Sequence, residues 1–278
     1  MNYRLLVTTF TNDIPQFKMF CYCLNKNWKG NKNLIVCLDT NDVVDTFRNI
    51  TNEIFSKQWN IEICPTVYPY NNGTCTNQVN VIYQTSIATV EDIIAWDCKN
   101  FLLKPADFLV FKHNNRYRIP HVDSTKRLVD LGYQNLSRLV DQPIDHYPAM
   151  SNLRPNIFNV AQTSRYWQAL NERFGHYSTW KEYPVGCEYY GYFIFAMQDP
   201  QRTIKFMLNS WQSFLIAGGW THQTYDGMVQ QVQEFAADPG HIIWMHSRKL
   251  ADPRCLDVTR SVLIKYGINK SFVDQVYG

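Results

Sequence analysis

Short apolar runs alternate with stretches of helical period throughout residues 1–105, and that alternation leaves the chain few folds to choose from. Leu5-Leu6-Val7-Thr8-Thr9-Phe10 reads as a first, central strand. Thr11-Asn12-Asp13 then offers caps for a helix in which Ile14, Phe17, Phe20, Cys21 and Leu24 share a face. Asn33–Leu38 reads as a second strand running into Asp39, followed by a helix over about Val43–Phe55 and a third strand at Trp59–Cys64. A polar loop over Pro65–Thr76 precedes a helix capped by Thr76 and reaching Thr89, with Val79, Ile82, Tyr83 and Ile87 on one side. Strands and helices in this order predict βαβ units and a mostly parallel sheet.

The next strand carries the most pointed signal. In Ile93-Ile94-Ala95-Trp96-Asp97 an apolar run ends abruptly in a carboxylate. A parallel strand buried on both faces looks like this, and its carboxyl end is where open α/β sheets bind ligands. Two readings of Asp97 stand side by side here: a cap on the turn into Cys98-Lys99, or a ligand-binding carboxylate. The same residues lack GxGxxG and GxxxxGK[ST], which argues against dinucleotide oxidoreductases and P-loop enzymes.

Beyond Pro105 the pattern is less regular. Asp107–Phe111 reads as a short strand; Ser164–Phe174, Thr203–Ile216 and Asp226–Ala236 read as helices; His241–Met245 reads as a late strand. Helical period returns over Cys255–Tyr266, and a short helix follows Asn269. With no repeat or linker, the expectation is one α/β unit with an irregular C-terminal half: 1–105 for a nucleotide, 106–278 for its partner substrate.

Composition narrows the function classes. Of 278 residues 45% are hydrophobic, enough for a substantial core, and 17 Tyr, 16 Phe and 8 Trp supply flat walls suited to sugars and bases. A net charge of only +3 confines any nucleic-acid site to a local patch. No apolar run is long enough to span a bilayer, and the start reads as a strand rather than a signal peptide. The eight cysteines are scattered, mostly through apolar segments, without a CxxC pair, and read as reduced thiols of a cytoplasmic protein.

Two stretches interleave basic and aromatic residues: Lys112, His113, Arg116, Tyr117, Arg118 and on to Arg127, and Arg154 through Arg173. Such runs are most often solvated faces. The alternative is a groove that tracks phosphates.

Taken together, Asn77-Gln78-Val79-Asn80-Val81-Ile82, Ala95-Trp96-Asp97-Cys98-Lys99, Phe101-Leu102-Leu103-Lys104-Pro105, Glu188-Tyr189-Tyr190-Gly191-Tyr192 and His246 resemble a family. It is the GT-A type of nucleotide-sugar glycosyltransferases, nearest to small bacterial and phage enzymes whose core reads QQxxKL, LDSD, Phe-x-x-Pro and EYxxYG. The Asn- and Tyr-rich chain also resembles T-even-like bacteriophage proteins, among them DNA 5-hydroxymethylcytosine glycosyl- and arabinosyltransferases.

The resemblance implies a UDP-sugar donor across the carboxyl ends of the first strands. Thr8, Thr9, Phe10, Asp39, Gln78, Asp97, Lys99, His246 and Arg248 are the expected donor-binding residues. Asp97 and His246 are the implied ligands of a divalent metal, manganese or magnesium. Here the chain departs from the family: Lys99 stands where the second aspartate of DxD would be, and a protonated lysine ligates no metal. Its charge would instead pair with the diphosphate, helped by Arg248 or Lys249. The alternative is an exposed lysine following a strand.

Glu188 is the expected general base, since desolvation among aromatic neighbours raises a carboxyl pKa. Its alternative is a buried carboxylate bonded to backbone or tyrosine, and that of His246 is a core histidine. The expected acceptor is 5-hydroxymethylcytosine in double-stranded DNA, taking glucose or arabinose, in the host cytoplasm if the chain is phage-encoded. Lys112, Arg116 and Arg118 would hold phosphates, and Tyr189 and Tyr190 would stack on an extracted base. A cell-surface glycan or small acceptor is one alternative, and a non-catalytic nucleotide-sugar-binding module another.

Overall fold

A computed structural model describes residues 2–70, 73–114, 116–121, 137–139, 155–185, 188–210, 215–219, 226, 241–245 and 250–278. Strands β1 (Tyr3–Thr9), β2 (Asn33–Leu38) and β3 (Asn60–Cys64) alternate with helices α1 (Ile14–Asn27) and α2 (Val44–Ile54). Helix α3 (Gly73–Ser86) returns the chain to β4 (Asp92–Asp97). These four strands pair in parallel, and β8 (Asn156–Asn159) adds antiparallel to β4, giving the order β3-β2-β1-β4-β8. The fold is therefore mixed α/β, with a mostly parallel central sheet flanked by helices.

Both faces of this sheet are covered, which is why Leu5, Leu6 and Val7 of β1 are all fully buried. Alternation along β4 divides its side chains between the faces. Trp96 turns to the α1 side, its ring centroid 6.0 Å from Phe20 and 6.4 Å from Trp28. Ile93 lies opposite Phe158 of β8, whose ring meets Tyr189 at 5.0 Å on the other side. That second side holds α3 and the helices Val160–Phe174 and Glu188–Gln198.

Two small sheets complete the described part. β5 (Asn100–Leu102) pairs antiparallel with β11 (Ile242–Met245), which runs parallel to β10 (Leu215–Gly219). β6 (Lys112–His113) forms a hairpin with β7 (Arg116–His121), which runs parallel to β9 (Lys205–Ser210). Helices Pro253–Lys265 and Lys270–Tyr277 close the chain, the latter against α1 through Phe272 stacked on Tyr22 at 4.2 Å. No described helix is long and apolar enough to cross a membrane. The seven described cysteines are buried and unbridged.

Three expectations need correction. Thr203–Ile216 is not a helix: it contains β9 and the start of β10, because Lys205–Ser210 finds a strand partner in β7, far upstream. Asp107–Phe111 is not a strand but a single 3-10 turn over Phe108–Val110, nucleated by the Asp107 carboxylate, which accepts the Leu109 N–H at 2.8 Å. Thr76 does not cap α3, which begins at Gly73; its hydroxyl accepts the Tyr70 N–H at 3.1 Å and ties the preceding loop to the helix. Of the expected helix Asp226–Ala236, all but Asp226 lies outside the described residues.

Candidate active site

The strand order fixes where a ligand belongs. From β1 the chain steps outward to β2 and β3, then returns through α3 to β4 on the other side of β1. The order thus reverses between β1 and β4, and open α/β sheets bind ligands at that point, outside the carboxyl ends. Thr8 and Asp97 are register partners there.

Asp97 ends β4 with its side chain 23% exposed. Its Oδ1 accepts the Lys99 N–H at 3.0 Å and lies 3.5 Å from Lys99 Nζ. The carboxylate thus caps its own tight turn while remaining at the edge of the crevice, so the two sequence readings are compatible. Lys99 is neither an exposed lysine nor a free one. It is 6% exposed, its Nζ lies 2.6 Å from Asp13 Oδ2, and it sits 5.1 Å from the Phe10 ring centroid. Burial works against its charge, but Asp97 and Asp13 outweigh that and hold its pKa above the ordinary lysine range. Asp13, read from the sequence only as a helix cap, is 4% exposed and makes no side-chain cap.

Asp39, at the end of β2, accepts from the Thr11 backbone N–H at 3.1 Å and the Thr11 hydroxyl at 3.3 Å. Asn80 of α3 donates to the Leu38 carbonyl at 3.1 Å and accepts the Val67 N–H at 3.0 Å, fixing the helix to β2. Thr8, Thr9, Phe10, Asp39, Asn77 and Asn80 line a narrow cleft too tight to admit a water molecule. Ligand clefts usually start at about 300 Å³, so a nucleotide sugar has to lie outside this cleft or widen it. Gln78 lies half-buried on the adjoining stretch of α3.

Glu188 is buried at the first residue of its helix. At the far end of that helix, Asp199 binds Gln162 and Arg165 at 2.7 Å, next to the Asn159–Asp92 edge of the sheet. The helix is 11 residues long, about 16 Å, so Glu188 lies at the end away from Asp199; one residue on, the Tyr189 ring meets Phe158 of β8. Tyr189 and Tyr190 are core residues, buried to 1% and 3%, and leave no ring face open for a base to stack on. Gly191 is demanded by packing: a Cβ there would lie 2.2 Å from the Tyr166 hydroxyl and 2.6 Å from Val185 Cγ1.

The basic hairpin is elsewhere. Lys112 Nζ is held at 2.9 Å by both Glu91 and Asp92, and Asp92 also accepts from the Tyr117 hydroxyl. Burial raises the Asp92 pKa, with Tyr117 and Lys112 acting against it. Arg116 is exposed and Arg118 half-buried on the same hairpin. Asp92 starts β4 and Asp97 ends it, about 17 Å away at 3.3 Å per residue. The structure therefore brings Thr8, Thr9, Phe10, Asp39, Asp97 and Lys99 together, and keeps Lys112, Arg116 and Arg118 at the opposite edge. His246 and Arg248 lie outside the described residues; β11 ends at Met245, next to Trp244, which pairs with Asn100.

The described donor set does not fit a divalent metal. Among the described residues no three His, Cys, Asp or Glu side chains gather to hold one, and an ammonium stands beside Asp97. Two further residues carry a signal the sequence did not reveal. Asn100, fully buried, and Asn156, 2% exposed, leave both side-chain amide atoms without a hydrogen-bond partner among the described residues. Asn156 lies opposite Ala95, two residues before Asp97 and on the same face. Asparagine in an apolar strand pattern reads as a break, and only the burial and the missing partners mark it.

No protein-family model matches the sequence, and no curated protein matches it either. Among solved structures the chain is similar to mouse xyloside xylosyltransferase 1, apo form, with a TM-score of 0.50 and 12% identity over 88% of this chain and 98% of that one. At that identity the likeness speaks for the fold, and the chain has the GT-A-like mixed α/β architecture that this transferase also has.

Proposed function

We propose that the protein transfers a sugar from a uridine diphosphate sugar to an acceptor hydroxyl. One observation carries the reading: the switch point of a GT-A-like sheet presents Thr8, Asp39 and a partly exposed Asp97 together. Carboxylates at this place accept hydrogen bonds from ribose and sugar hydroxyls. Glu188, buried at the first residue of its helix, is the general base that takes the acceptor hydroxyl's proton as the glycosidic bond forms. The nucleoside diphosphate leaves with the bonding electrons. Its charge needs fixed cations, and Arg248 and Lys249 are the sequence candidates.

The acceptor in this reading is 5-hydroxymethylcytosine in duplex DNA, and the sugar glucose or arabinose. The motif resemblance supports it, as do Arg116 and Arg118 on the β6–β7 hairpin. Lys112 drops out of the phosphate contacts because two carboxylates hold it. A glycan or small acceptor is the second reading, favoured by the distance between that hairpin and Asp97. Mass spectrometry of hydroxymethylated DNA incubated with the protein and a panel of UDP-sugars tests the assignment. A mass gain of one sugar on the modified cytosine is expected. Donor consumption that leaves the DNA unchanged would move the second reading ahead, and no consumption of any donor would remove both.

A further inference from the structure

We propose that the crevice holds no divalent metal at Asp97, the ammonium of Lys99 being the resident cation of that position. What the crevice binds rests on the sugar-transfer reading; the identity of its cation stands on the free protein. The Lys99 side chain is only 8% exposed and Asp13 only 6%, so their 2.6 Å ion pair is closed off from solvent. The same ammonium is 3.5 Å from Asp97 Oδ1, which also accepts the Lys99 backbone N–H. A metal at Asp97 would have to bring two positive charges next to a buried third one.

The chain topology makes this arrangement permanent rather than incidental. Asp13 ends the 3-10 turn Thr11–Asp13 that joins β1 to α1, and Lys99 follows β4 by two residues, so the pair bridges the two strands on either side of the switch point. The ammonium pins Asp97 in the place where a metal would otherwise order it. Asp13, Lys99 and Asp97 together carry one net negative charge. This part of the crevice therefore suits the hydroxyl-bearing nucleoside of a donor rather than its diphosphate, whose charge is met by other cations.

The test is a Mn²⁺ titration of the folded protein, followed by the paramagnetic resonance signal of free Mn²⁺. The wild type is expected to take up no Mn²⁺ at this position, so Asp97→Asn leaves its curve unchanged. Lys99→Ala removes the cation between two carboxylates and is expected to gain Mn²⁺ affinity by roughly tenfold or more, lost again when Asp97→Asn is added. If Lys99→Ala fails to fold by circular dichroism, Lys99→Gln takes its place. Stoichiometric Mn²⁺ uptake by the wild type that Asp97→Asn abolishes would overturn the proposal. So would folded Lys99 variants with no added affinity. Calorimetry with UDP separates the two readings. Equal affinity in chelator and in Mn²⁺ is expected, and binding that requires Mn²⁺ and Asp97 would overturn the metal-free crevice. UDP that binds in neither condition sinks the sugar-transfer reading, while the Mn²⁺ titration still decides the cation.

Discussion

Lys99 Nζ and Asp13 Oδ2 meet at 2.6 Å across 86 residues of chain, in a place where water hardly reaches either. Removing one partner of a buried pair strands the other charge, which costs about 3–5 kcal/mol. Lys99→Met should destabilise by about that much in urea denaturation, and Asp13→Ala by less, because Asp97 stays 3.5 Å from the ammonium. The double variant should lose clearly less than the sum, since neither charge is then left unpaired. Additive losses would show that the two do not act as a pair.

The same pair gives a pH dependence with a definite sign. The folded-state pKa of Lys99 lies above its ordinary 10.5, so the folded chain keeps this proton after the unfolded chain has lost it. Its contribution is fully present below pH 10.5 and falls away above it. Above pH 10.5 the unfolding free energy of the wild type should therefore drop more steeply than that of Lys99→Met. Lys112 adds a slope of the same sign to both proteins, so the difference belongs to Lys99. Parallel curves would contradict the assignment.

How far the sequence carried can be judged from these two residues. β1, α1, β2, α2, β3 and β4 were legible because each has a clean period and its partners are neighbours in the chain. The Asp13–Lys99 pair was not: each residue has a sufficient local reading, as a helix cap and as a polar residue after a strand. Only the parallel pairing of β1 and β4 brings them together. β9 failed for a related reason. Lys205-Phe206-Met207-Leu208 has no strict alternation, and its strand state comes from lying beside Tyr117 and its neighbours. Asp97 was legible as a candidate because a carboxylate ending a buried strand is a local pattern. The burial of Tyr189 and Tyr190 was not, since an aromatic run looks the same in a core and in a binding wall.

Asn156 offers a test in which stability and binding move in opposite directions. Its two amide atoms are buried without partners, and such a group costs about 1–3 kcal/mol. Asn156→Leu should therefore raise the melting temperature, by about 2–4 °C for each kcal/mol recovered in a chain of this size. If the amide serves a ligand in the crevice, affinity for UDP-sugars should fall in the same variant. A lower melting temperature would mean that Asn156 is satisfied by ordered water.

Gly191 should tolerate no side chain. The Tyr166 hydroxyl that a new Cβ would strike is itself bonded to the Tyr183 hydroxyl at 2.8 Å, so it cannot move aside freely. Gly191→Ala should cost about 1–3 kcal/mol by overpacking. Because Glu188 lies one turn away on the same helix, turnover should suffer as well. Gly191→Ala combined with Tyr166→Phe should recover part of the stability, read from the urea midpoint, and no recovery would place the clash at Val185 instead.

The acceptor is decided by separating its binding from the chemistry. If duplex DNA is the acceptor, Arg116 and Arg118 contact phosphates, and affinity falls steeply as salt rises. Arg116→Ala and Arg118→Ala should each weaken binding to every sequence alike and reduce the salt slope by about 1, because phosphate contacts position the duplex without reading it. Donor affinity should survive both changes, the hairpin lying about 17 Å from Asp97 along β4. Glu188→Gln should bind DNA and donor as before but lose turnover by about 10²–10⁴-fold, a carboxamide being too weak a base for the acceptor proton. The approximate 17 Å separation adds a geometric demand, since it exceeds the reach of any side chain. A duplex held by the hairpin must therefore extend past the edge of the sheet to present its hydroxymethyl group beside Asp97. Footprinting on a modified duplex should then show protection beyond the base that reacts. Normal DNA binding by both arginine variants, with Glu188→Gln still transferring at the wild-type rate, would remove the hairpin and the base together and leave a glycan as the better acceptor.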